Sequence, residues 1–104
     1  MTDAAADFSQ LRRGLVASAK AAGFELCIAG GASRPWASSL FVGSRHKAVI
    51  GADSSPAFDA WLAALCEFDP PMSGQFLASA DVVEHASDQR GREIVTIDFL
   101  TVAE

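Results

Sequence analysis

The sequence predicts an α+β fold: a two-layer sandwich of order α-β-β-β-α-β-β, with both helices on one face of a mostly antiparallel five-stranded sheet. Three observations carry that expectation. Apolar residues recur at helical spacing in residues 4–22 and again after Ser55-Pro56; long alternating runs fill residues 75–86 and 93–102; and Gly43-Ser44 separates two further apolar runs. With 104 residues, half of them hydrophobic, the chain forms one domain, residues 1–104, with material for a single core.

In residues 4–22, Phe8, Leu11, Leu15, Ala19 and Ala22 recur three and four apart, which lines them along one helix face. Asp3 is positioned as N-cap, and Gly23 supplies a residue that turns left-handed at the C-terminus. Gly14 weakens the helix interior by about 1 kcal/mol relative to Ala. Phe24, Leu26 and Ile28 alternate with Glu25 and Cys27, the pattern of a half-buried strand that Gly30-Gly31-Ala32-Ser33 would end.

The runs Trp36–Val42 and Arg45–Ala52 flank Gly43-Ser44, a two-residue hairpin signal because Gly accepts the positive φ of a type II′ turn. Such a turn pairs Val42 with Arg45, Phe41 with His46 and Leu40 with Lys47. Phe41, His46, Ala48 and Ile50 then face the helices, while Trp36, Leu40, Val42, Arg45 and Lys47 face outward. Ser55 caps a second helix with Pro56 at its first position, Phe58, Trp61, Leu62 and Leu65 mark its apolar stripe, and Asp69-Pro70-Pro71 ends it. The last two runs close the chain as a hairpin. Phe76, Ala78, Ala80, Val82, Val95, Ile97 and Phe99 form its expected core face; Ser79, Asp81, Val83, His85, Ile94, Thr96, Asp98 and Leu100 fall on the other.

Charge is segregated along the chain. Residues 1–52 carry a net +3 and residues 53–104 a net −8, which together give −5. A nucleic-acid partner is disfavoured, since such binders present a dense basic footprint. No basic-then-apolar leader opens the chain, and no run reaches the ~18–20 apolar residues of a membrane span. A cytoplasmic protein with no membrane partner is therefore expected. The absence of Asn and Tyr, with Arg and Ala abundant, points to a GC-rich and hence bacterial genome. Cys27 and Cys66 belong to no Cys-x-x-Cys pair and are expected as buried free thiols.

Outward-facing apolar groups mixed with charges predict self-association, with Trp36, Leu40, Val42, Arg45, Lys47, Val83 and Leu100 at the interface of a homodimer. A small anionic ligand held by Arg34 and Trp36 is the alternative. The Gly43-Ser44 turn would hold that pair ~20 Å from Arg45 and Lys47, so the basic stretch could not form one site. A third reading is an enzyme using His85 with Asp81 or Asp98. Neither His lies in a metal-ligand spacing, and no cofactor is implied. Ile28-Ala29-Gly30-Gly31 resembles the opening of a phosphate loop, but Arg34-Pro35 and a strand follow where such a loop needs a helix. The leading expectation is a small binding or assembly protein without catalytic activity.

Overall fold

A computed structural model describes residues 4–104. Two α-helices and a four-stranded antiparallel sheet make an α+β fold. Helix α1 spans Ala4–Ala22, strand β1 Cys27–Ala37, β2 Val42–Asp53, helix α2 Pro56–Ala63, β3 Gln75–Ser87 and β4 Arg92–Ala103. A short 3-10 turn, Leu65–Glu67, follows α2. The sheet order is β1-β2-β4-β3, so two hairpins meet along β2 and β4.

The expected five strands are four, because the first hairpin turns elsewhere. Gly43-Ser44 is no turn but the start of β2. The chain reverses through Ser38–Phe41: the Ser38 backbone N–H donates to the Phe41 carbonyl at 2.7 Å, and Ser38 Oγ accepts from the Phe41 N–H at 3.1 Å. A serine hydroxyl that binds backbone two or three residues ahead is a local turn device, and it wins here. The Gly30-Gly31 pair that promised a break instead lies inside β1, with a bulge between Ile28 and Gly30.

Gly43 is glycine for a different reason. A Cβ there would overlap the carbonyl oxygen of Thr101 and sit 2.9 Å from Val102 Cα. Close approach of β2 to β4, not turn geometry, selects the residue. Gly14 has a similar explanation. The loop after α2 crosses the helix there, and a Cβ would lie 2.7 Å from Pro70 Cβ.

One core joins Leu11 and Leu15 of α1, Phe58 and Trp61 of α2, alternate residues Ala48, Ile50 and Ala52 of β2, and Val95, Ile97 and Phe99 of β4. The helices are tied to one another by Trp61 Nε1, which donates to Ser18 Oγ at 2.9 Å. Helix α1 ends at Gly23, whose φ of 96° no ordinary L-residue adopts readily. The capping role expected of Asp3 lies outside the described residues. Ser55 does cap α2, accepting from the Phe58 N–H at 3.0 Å.

Several expected core positions differ. Phe41 sits in the turn and is exposed. Bulges in β3 between Leu77 and Ser79 and between Val82 and Glu84 each shift the alternation by one residue. Phe76 therefore lies opposite Val102 on the face away from the helices, and His85 lies opposite Val95 on the helix side. Cys27 and Cys66 are free but exposed rather than buried. The first stands on an edge strand and the second in the 3-10 turn, where little packs over either.

Candidate functional site

The sheet face away from the helices is built in rows, because residues paired across antiparallel strands point to the same side. Trp36, Gly43, Val102 and Phe76 form one row from β1 to β3. Arg34, Arg45, Leu100 and Ser79 form the next. Ala32, Lys47, Asp98 and Asp81 form the third. Two of these rows line a depression of about 440 Å³ that includes Arg34, Arg45, Lys47, Asp81, Asp98 and Leu100.

The true turn thus reverses the expected separation of the basic stretch. Arg34 stands directly opposite Arg45, and Trp36 is two residues along β1 on the same face. The four side chains Arg34, Trp36, Arg45 and Lys47 make one patch, not two ends ~20 Å apart. Among the described residues none of the three cations takes part in an ion pair. Like charges placed directly across a strand pair repel, so Arg34 beside Arg45 is a local cost. Cations occupy the β1–β2 half of the face, while Asp81, Glu84 and Asp98 occupy the β3–β4 half.

Of the other expected interface residues, Leu100 lies half-buried on this face. Val83 is the exposed extra residue of the second β3 bulge. Leu40 projects from the turn at 82% exposure, and Val42 shares the parity of the helix side. Asp81 and Asp98 do face each other across β3 and β4. The bulge at Val83 sends His85 to the opposite face, so the structure does not bring it together with either aspartate. His85 Nε2 instead lies 3.2 Å from Glu93 Oε2, and Ser87 Oγ donates to Glu93 Oε1 at 2.6 Å. Those two hydrogen bonds hold the Glu93 carboxyl below its ordinary value of 4.5. Serine and histidine both bind the carboxylate rather than each other, so the trio lacks the base-to-hydroxyl contact that activates a nucleophile. Among the described residues no group of three or more His, Cys, Asp and Glu side chains is placed to hold a metal ion.

Behind the open face lies a buried polar chain that periodicity did not reveal. His46 is fully enclosed, with Ser33 Oγ 2.7 Å from Nδ1 and Thr101 Oγ1 3.1 Å from Nε2. Thr101 Oγ1 donates onward to the Ser44 carbonyl, and Ser44 Oγ donates to Asp7 Oδ2 at 2.9 Å. A neutral imidazole donates from one ring nitrogen and accepts at the other, and the two hydroxyls, each able to do either, satisfy both. Phe8 covers the ring with centroids 5.6 Å apart. The network joins α1 to three strands and satisfies groups that burial would otherwise penalise. Only the lone His on an apolar face hinted at it in the sequence; its partners are ordinary Ser and Thr residues.

Burial pushes the His46 pKa below its ordinary 6.5, against an opposing pull from Asp7. The native ring therefore takes up its proton at a lower pH than the unfolded chain, which is protonated as pH falls through about 6.5. More protons bound in the unfolded state means stability rises with pH and is lost on acidification. Thermal melts between pH 7.5 and 5 should show a falling midpoint, and His46→Gln should flatten that slope. A wild-type midpoint independent of pH over this window contradicts the assignment. Loss attributable to Glu93 belongs to a lower window, below about 4.5, where its carboxylate protonates in the unfolded chain.

No known protein family, curated protein or solved structure matches the chain.

Proposed function

We propose that this chain is a binding and assembly protein without catalytic activity, which pairs with a second copy of itself through the open sheet face. One observation carries the reading. A whole face of the sheet lacks helix cover while presenting Trp36, Leu100, Phe76 and Ile94 among segregated charges. No helix of the described residues is long and apolar enough to cross a membrane.

The sheet edges favour pairing by face. Strand β1 carries Pro35 and a bulge, and β3 carries two bulges, features that blunt an edge against strand addition. The size of the face also suffices. Over Gly43–Gly51, four strands ~4.8 Å apart with ~3.3 Å per residue cover roughly 550 Å², so a face-to-face pair buries about 1,100 Å² in total. That lies at the lower end of specific protein interfaces, as suits a small domain.

Native mass spectrometry with light scattering at micromolar concentration tests the reading. The wild type should be dimeric, and Leu100→Glu should be monomeric with an unchanged circular dichroism spectrum, because it places a carboxylate in the middle of the covered face. A wild type that stays monomeric overturns the proposal.

Arg34 opposite Arg45 favours a second reading, a small anionic ligand in the depression. Two guanidiniums on adjacent strands supply the donor fork that binds carboxylate or phosphate bidentately, with Trp36 beside them for an apolar or aromatic portion. Inorganic phosphate and benzoate serve as probes: either should raise the melting temperature of the wild type and neither that of Arg45→Gln. No shift with either probe removes this reading.

A further inference from the structure

We infer that the second copy packs with its twofold axis running along the strands, over the seam between β2 and β4. The inference rests on the pairing proposed above and names its geometry. Two sheets stacked face to face keep their strands nearly aligned, at about −30°. A closed pair is isologous, so its twofold axis must lie between the sheets and parallel to them. Two choices follow. An axis across the strands lays each strand over its own counterpart; an axis along the strands exchanges left and right, laying β1 over β3 and β2 over β4.

The rows decide between these. With the axis across the strands, the basic half of the face meets the basic half of the other copy. Arg45 and Lys47 would then stack on Arg45 and Lys47, in the half that already carries the unpaired Arg34–Arg45 contact. With the axis along the strands, Lys47 meets Asp98 of the second copy, and the contact occurs twice by symmetry. Opposite charges then face one another at the middle of the interface, which fixes register as well as partner.

Side-chain size follows the same rule, although charge and volume are independent properties. The along-strand axis lays Gly43 under Val102 of the second copy and Ala32 under Asp81. Trp36 falls over Phe76 of the second copy, pairing the two aromatic ends of one row. Gly43 and Ala32 thus meet larger residues, and Arg34 meets the small Ser79 in return.

Lys47→Glu and Asp98→Lys test the axis, each as a single variant, mixed in equal amounts, and combined in one chain. Each single variant should lose dimer by at least tenfold in dissociation constant, since each homodimer then sets like charges together at two symmetric contacts. The mixture should form a heterodimer visible by native mass spectrometry, because one chain keeps Asp98 and the other keeps Lys47. The combined variant should regain the homodimer. Both residues are at the surface, and circular dichroism of each variant checks that the fold is retained. If Asp98→Lys still dimerises as tightly as wild type, or the mixture yields no heterodimer, the axis is wrong. In that case Leu100→Glu still abolishing the dimer leaves the face itself standing, whereas a monomeric wild type removes both.

Discussion

Gly43→Val is expected to destabilise the fold severely. Strand propensity alone argues the opposite, since valine is favoured over glycine in a strand by up to ~1 kcal/mol. Packing wins because the new Cβ would overlap the carbonyl oxygen of Thr101 and lie 2.9 Å from both Thr101 C and Val102 Cα. All of these are backbone atoms, with no rotamer to move. Relief requires β2 to separate from β4 next to Ser44 and Thr101, both fully buried and both within the His46 network. Overpacking at such a place costs at least about 3 kcal/mol, a large share of the ~5–15 kcal/mol that holds a domain together. Urea titration followed by circular dichroism measures it. Gly30→Ala is the control: nothing lies within 4 Å of a Cβ there, and this variant should unfold near the wild-type midpoint. A Gly43→Val protein with wild-type stability would show that β2 and β4 are not in this register.

Phe58→Ala should be the most damaging single truncation in α2. Phe58 is fully buried, edge-on to Phe24 with ring centroids 5.5 Å apart and stacked on Trp61 at 6.2 Å. Removing the ring deletes the packing between α2 and the chain leaving α1, and leaves a cavity that fixed β-sheet atoms cannot fill. The expected loss is about 3–5 kcal/mol. For a domain of this size that corresponds to a melting point lower by roughly 15–30 °C. Phe58→Leu keeps most of the volume and should cost about 1–2 kcal/mol. Calorimetry distinguishes the two, and equal effects of Ala and Leu would mean that the site is not filled as described.

The helices were the most legible part of the sequence. Leu11, Leu15 and Ala19 recur with the helical period and are buried as a stripe, and Ser55-Pro56 starts α2 through a hydrogen bond that depends on two adjacent residues. Local rules suffice where the partner atoms are three or four residues away. The β2 and β4 core residues were legible too, because an uninterrupted alternation survives any choice of partner strand. Strand β3 was not. Its bulges at Ala78 and Val83 are set by the fit to β4, and they turned Phe76 outward and His85 inward against the simple alternation.

The candidate site divides in the same way. Arg34, Trp36, Arg45, Lys47 and Leu100 are conspicuous as residue types, yet their arrangement hung on one turn. A Gly-Ser pair and a Ser-Ser-Leu-Phe loop competed for it. The glycine was claimed by a contact with Thr101, far along the chain, which no local pattern encodes. The Ser33–His46–Thr101 chain was hidden for the same reason, since hydroxyl partners recruited across strands leave no periodic trace.

By itself, then, the sequence determined the α+β class, both helices with the Gly23 end of α1 and the Ser55 cap of α2, the alternating cores of β2 and β4, and the division of charge between the two halves. These depend on interactions within a few residues or on composition. Tertiary structure alone decided that the first hairpin turns at Ser38–Phe41 and not at Gly43-Ser44, that Arg34 meets Arg45, that His85 leaves the face shared by Asp81 and Asp98, and that His46 is sealed behind it. Each of those outcomes turns on which strand lies alongside which, and at what register. Register is fixed by the steric fit of distant backbones at positions such as Gly43, where a single Cβ would have forced a different pairing.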